Sequence, residues 1–149
     1  SRTIQMAIKY FNGVVENKQV SEEIDDDLIN SKNSLKGLVD EKMTSYKVNE
    51  ALEIIFENLR KCNKYIDETE PWVLSKDVNK LERLETIIYN LLDNIRVSAI
   101  LLEPFIPETS KKILKSLNLE SNDFSSLNAV HLKYDVGLEK PENLFNRIQ

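Results

Sequence analysis

The stretch 63–72, Asn-Lys-Tyr-Ile-Asp-Glu-Thr-Glu-Pro-Trp, places the only tryptophan of the chain directly after a proline and five residues after an aspartate. Proline fixes its own φ and disfavours helical geometry at the residue before it. A helix arriving through Ile66 must therefore end near 67–69, and Trp72 opens a new turn with its direction constrained by Pro71. An indole held at a helix end can offer a flat face to something outside; the alternative is a ring packed beneath the corner. Asn63 falls in phase with the apolar residues of the same helix, and a polar amide on an apolar face must be hydrogen-bonded, so an internal bond fixing the helix end is expected. Arg60, Lys61 and Lys64 form a small basic cluster suited to the negative end of the helix dipole or, alternatively, to a phosphate.

Other candidate groups carry less. The run Asp25, Asp26, Asp27 has the residue type of a metal site, but three adjacent carboxylates on a helix point in different directions, and a solvated first turn is expected instead. Cys62 has no histidine at catalytic spacing and reads as a small buried residue. His131, the one histidine, lies in an irregular part with no second ligand or acid at defined spacing, which points to a surface or packing role. There is no Gly-rich phosphate loop, no histidine pair and no nucleophile elbow, so no catalysis is assigned to this chain by itself.

These groups must be held by helices. At 149 residues and 41% hydrophobic, the chain can bury one core. Three glycines and no sustained apolar-polar alternation leave strands little support, and the reading is all-α: a bundle of about five helices, one domain over 1–149, with an irregular C-terminal tail. The net charge of −5 excludes a general nucleic-acid coat, so any such contact must be local. One cysteine excludes an internal disulfide and fits a reducing cytoplasm. Charges interrupt every apolar run, and no segment resembles a signal peptide or a membrane span. The chain opens at Ser1 without methionine while a helical stripe is running by Ile4, so a preceding segment is expected.

In chain order, Ile4, Ala7, Ile8 and Phe11 define one face of a helix over about 2–16 that frays at Gly13. A second helix starts near Ser21 as N-cap and continues with Leu28, Leu35, Leu38, Val39 and Met43 as the most solvent-facing long helix. A third, about 48–67, carries Leu52, Ile55, Phe56, Leu59 and Ile66. A fourth starts at 75–77 and is the strongest: Leu81, Leu84, Ile88, Leu91, Ile95 and Leu102 keep three-four spacing, widened by Ile87 and Leu92, which makes it the central helix. Ser98 on that face would return its hydroxyl to the carbonyl one turn back. Arg96 beside Asp93 reads as a structural pair. Pro104 ends the helix, and Pro107 starts a fifth with Ile113, Leu114 and Leu117 inward. Beyond 119 a loop and an extended tail follow, pinned by Leu138, Leu144, Phe145 and Ile148.

The run 63–72, Leu-Leu-Glu-Pro-Phe-Ile-Pro-Glu-Thr at 101–109, Ser-Arg-Thr at 1–3 with Lys-Tyr-Phe-Asn-Gly at 9–13, and Leu-Phe-Asn-Arg-Ile at 144–148 together resemble the anticodon-binding domain of bacterial methionyl-tRNA synthetase. The match covers nearly the whole chain in the family's order. The first motif is specific; the proline-phenylalanine motif also resembles related class I synthetases. The resemblance implies an α-helical bundle that follows a catalytic domain, whose class I signatures and zinc-binding knuckle have no counterpart here. It implies no cofactor in this fragment, ATP and Mg (with Zn in the knuckle) for the full-length enzyme, and methionine tRNA as partner beside the missing catalytic domain.

By the same motif alignment Trp72 stacks on the first base of the anticodon CAU, Arg2 holds anticodon bases by hydrogen bonds, and Asp67 takes part in anticodon selection, with Asn63 and Pro71 in support. An asparagine that completes the family site would precede Ser1. The residue types suit this work, because unstacked anticodon bases are read by a flat ring and by fixed donors and acceptors on their Watson-Crick edges. Two other readings remain: the same domain from another class I synthetase, and a helical protein-interaction module with Trp72 as a hydrophobic anchor.

Overall fold

The computed structural model describes residues 2–119 and 133–137. Six helices run in order: α1 (Arg2–Phe11), α2 (Asp26–Thr44), α3 (Val48–Thr69), α4 (Pro71–Leu74), α5 (Leu81–Leu102) and α6 (Pro107–Ser116). Two three-residue strands, β1 (Val14–Glu16) and β2 (Lys133–Asp135), pair antiparallel with Val15 opposite Tyr134.

The all-α expectation holds for the bundle. Helix α5 is its centre: Leu84, Ile87, Ile88, Leu91, Leu92 and Leu102 are all buried, with Ala99, Ile100 and Leu101 extending the covered surface around the helix. A helix apolar on most of its circumference must be surrounded, and α5 is packed by α1, α2, α3 and α6. Two members of the predicted stripe depart from it. Leu81 opens the helix at the rim and is exposed, and Ile95 is half-buried. On α2 only Leu28, Leu35 and Val39 are buried while Leu38 and Met43 stay exposed, as an imperfect stripe requires.

Several local expectations are corrected. The first helix stops at Phe11, because Asn12 and Gly13 both take positive φ and turn the chain into β1. A Cβ on Gly13 would meet the Gly137 backbone nitrogen at 2.4 Å, so glycine is needed there for close approach as well as for φ +88°. The second helix begins after a 3-10 turn, Glu23–Asp25, in which Glu22, not Ser21, forms a reciprocal capping box with Asp25. The residues expected to start the fourth helix form instead a connection, with Asp77 capping a second 3-10 turn, Val78–Lys80, by accepting from the Asn79 N–H. At the other end α5 stops at Leu102 ahead of Pro104, and Pro107 occupies the first turn of α6, as predicted.

Ser98 does not bond back to its own helix backbone. It accepts from Asn58 Nδ2 at 2.7 Å and donates to the side-chain oxygen of Asn94 at 3.3 Å. The Arg96–Asp93 pair is buried as expected, and Asp93 also takes Lys32 of α2 at 2.7 Å and the hydroxyl of Tyr134 of β2. This one carboxylate thus ties three elements together. The expectations for His131, Leu138, Leu144, Phe145 and Ile148 lie outside the described residues.

Candidate nucleic-acid interface

The corner between α3 and α4 is made by one residue. Glu70 adopts φ 49°, ψ 62°, a left-handed conformation that closes α3 by donating its N–H to the Ile66 carbonyl at 3.0 Å. Pro71 then takes the first position of α4, where a missing N–H costs nothing. Pro71 is buried, and the next side chain, Trp72, is 42% exposed. The ring therefore stands outward on an anchored backbone, and Ser75 braces the turn by donating its hydroxyl to the Trp72 carbonyl at 2.9 Å.

Arg2 and Asp67 meet at the same end of the bundle. Their charged groups lie 3.4 Å apart, with the side chains 51% and 68% exposed. The contact joins the first turn of α1 to the last turn of α3 and leaves most donors of the guanidinium open. Asn63 lies one turn before Asp67 on that exposed face, so its predicted internal bond is not made. The buried amide of α3 is Asn58, 2% exposed, bonded to Asn94, Ser98 and Ser31.

The basic cluster is spoken for by acids. Arg60 pairs with Glu53 and Glu57, Lys61 reaches Asp27 of α2 at 3.2 Å, and Lys64 lies 3.8 Å from Glu68. Neither the helix dipole nor a phosphate is needed to account for it.

Sequence reasoning missed what stiffens the end of α3. Asp25 is 1% exposed, not part of a solvated turn. It accepts two bonds from Arg83 at 2.8 Å each and one from the Tyr65 hydroxyl at 2.7 Å. Burial pushes the Asp25 carboxyl upward, but the bonds from Arg83, Tyr65 and the Glu22 N–H outweigh it and leave it below its ordinary range. The Tyr65 hydroxyl is pushed well up, mainly by burial. The available signal was an arginine, Arg83, beside the apolar stripe of α5, which calls for a buried acid. Cys62 is buried as expected, and burial pushes its thiol up to about 12, far from a reactive thiolate.

No helix among the described residues is long and apolar enough to cross a membrane. The α3–α4 corner thus presents an open aromatic ring, and an exposed guanidinium on α1 meets a carboxylate in the last turn of α3, groups whose chemistry suits stacking and edge recognition of an unpaired base.

Comparison with known proteins agrees with that chemistry. A family model described as the anticodon binding domain of methionyl tRNA ligase matches residues 15–149. The methionine-tRNA ligase of Clostridium acetobutylicum is 44% identical over 149 residues, covering 99% of this chain and 23% of the relative. That of Bacillus subtilis is 33% identical over 153 residues, covering 100% of this chain and again 23% of the relative. The free-state crystal structure of Mycobacterium tuberculosis methionyl-tRNA synthetase superposes with a TM-score of 0.84 at 29% identity, over 94% of this chain and 29% of that one. The chain spans under a quarter of the length of these two ligases, and it belongs to the family of anticodon binding domains of methionyl tRNA ligase.

Proposed function

We propose that this chain recognises the CAU anticodon of methionine tRNA, and that it works in the cytoplasm as part of a methionyl-tRNA synthetase whose separate catalytic domain joins methionine to the tRNA with ATP and Mg. Trp72 stacks on the first anticodon base. Arg2 supplies a planar fork of donors to base acceptors, and Asp67 sets its orientation, with Asn63 on the same face and Pro71 as the buried anchor. The observation that carries the reading is the 42% exposure of an indole whose backbone is held by a buried proline. An aromatic side chain kept open at this cost in exposed apolar area, on a member of this family, is explained by a base that covers it.

Trp72 is the sole tryptophan, so its fluorescence reports the contact directly. Titration with a CAU anticodon stem-loop is expected to quench it in a saturable way, and a stem-loop altered at the first anticodon base to bind about tenfold or more weakly. Equal quenching by both would remove the claim of first-base recognition.

A further inference from the structure

The charges of the bundle are segregated by helix. Helices α2 and α3 together carry nine acids and six cations, most of the latter paired with those acids. Helices α1 and α6 carry five cations, Arg2, Lys9, Lys111, Lys112 and Lys115, against one acid, Glu108.

Both basic helices pack on α5, and α6 bridges two apolar clusters, one shared with α1 and one, through Leu114, shared with α2 and α3. Ile4, Ala7, Ile8 and Phe11 of α1 join Leu84, Ile88 and Leu92 of α5 in one apolar cluster, and Ile113 of α6 with Leu117 and Leu119 just beyond it joins the same cluster. Helix α6 is fixed there at its start by the Ser110 hydroxyl, which donates to the Ala99 carbonyl at 2.6 Å. With Ser110 and Leu114 facing inward, Lys111, Lys112 and Lys115 are turned outward and exposed. None of the three pairs with a carboxylate among the described residues, although the chain is acid-rich. Arg2, at the far end of α1, pairs only across 3.4 Å with Asp67.

We infer that Lys111, Lys112 and Lys115 on the outer face of α6 form a second, sequence-independent contact with the tRNA, holding backbone phosphates while the α3–α4 corner reads the anticodon. The inference rests on the anticodon reading above and extends it. A polyanion docked at Trp72 is repelled by the acids of α2 and α3 and attracted by the outer face of α6, where three cations within five residues stand without a carboxylate partner among the described residues. Since an exposed lysine is a point charge with no preferred base, its contribution is to affinity and salt dependence and not to base choice. This divides the labour between two surfaces. It also explains how a chain of net charge −5 binds RNA, since the positive field is local to α1 and α6.

The test compares the wild-type chain with the triple variant Lys111→Gln, Lys112→Gln, Lys115→Gln, and with a control in which Lys36→Gln and Lys42→Gln remove two acid-paired cations from α2. Each is titrated with CAU and first-base-altered stem-loops from about 50 to 200 mM salt. The triple variant is expected to weaken both stem-loops by the same factor and to flatten the slope of log K against log salt by about two, given roughly 0.7–0.9 per phosphate contact. Its maximal Trp72 quenching and its preference for CAU should be unchanged, and the control should match wild type or weaken only slightly, with an unchanged salt slope. A wild-type chain that discriminates the first base while the triple variant keeps full affinity and slope overturns this surface alone. Loss confined to the CAU stem-loop also overturns it, because the lysines would then be reading bases. A wild-type chain that binds neither stem-loop overturns both the surface and the anticodon reading.

Discussion

The guanidinium of Arg2 rests 3.4 Å from the carboxylate of Asp67, so two residues 65 positions apart in sequence share one exposed site. An ion pair this open contributes only about 0–1 kcal/mol to folding, because solvent screens it and two long side chains must be ordered. On the proposed anticodon reading, its value lies in where it holds Arg2. Asp67→Asn should therefore leave the midpoint of urea unfolding nearly unchanged while reducing the preference for CAU over a first-base-altered stem-loop. A variant that loses stability but keeps discrimination would show the pair to be a structural clamp.

Trp72 makes the sharper prediction. Trp72→Ala removes a ring that is 42% exposed, so little packing is lost, whereas one base-aromatic stack is worth about 1–3 kcal/mol. Binding of a labelled CAU stem-loop, followed by fluorescence anisotropy, should weaken by about 5- to 150-fold with little change in thermal stability. Trp72→Phe should recover part of the loss, since a smaller ring still stacks. A large drop in melting temperature for Trp72→Ala would mean that the indole serves the bundle instead.

The parts legible in the sequence were those set by period and by proline. The stripe on α5 located the centre of the bundle, and Pro71, Pro104 and Pro107 placed three helix ends, because both signals act within one or two turns. What stayed hidden depends on partners distant in sequence. Asn63 and Asn58 are both amides on α3, and apolar phase alone pointed to Asn63. The choice was made by Asn94 and Ser98, 36 and 40 residues after Asn58, which offer partners only to the latter. Likewise nothing local distinguishes Asp25 from Asp26 and Asp27; Arg83, 58 residues on, selects it. The β1–β2 ribbon was missed because three residues are too few to show alternation, and what ties it to the bundle is Tyr134 reaching Asp93, 41 residues away in sequence.

Asn58 tests the buried amide network directly. Asn58→Ala deprives Asn94, Ser98 and Ser31 of a shared partner, at a cost of about 2–3 kcal/mol. Asn58→Asp should cost more at neutral pH, because it places a carboxylate at a site 2% exposed with no cation among its bonded partners. Urea unfolding at pH 7 should rank wild type above Asn58→Ala above Asn58→Asp. Acidification should narrow the gap between the two variants as the new carboxyl takes a proton. Asn63→Ala, on the exposed face of the same helix, should change stability by less than about 0.5 kcal/mol.

Among the described residues, two buried aspartates, Asp25 and Asp93, contribute to the acid limit of the fold. At Asp93, burial raises the carboxyl, but the bonds from Lys32 and Tyr134 and the charges of Lys32 and Arg96 more than offset it, and the group lies below its ordinary 3.8, as Asp25 does. A carboxylate with a lower pKa in the folded chain than in the unfolded one stabilises the fold fully above the unfolded value and loses that contribution as pH falls through the folded one. Stability measured by urea unfolding should thus be level with respect to these two groups above about pH 5 and fall progressively below about pH 4. Asp93→Asn should start less stable at pH 7, because Arg96 keeps its charge in a site 3% exposed without the matching carboxylate, and should show a shallower acid slope. Since Asp93 joins α2, α5 and β2, the same variant should expose the amides of β1 and β2 to hydrogen exchange before those of α3. Simultaneous loss of protection across all of them would show that the carboxylate supports the whole bundle and not the attachment of the ribbon to it.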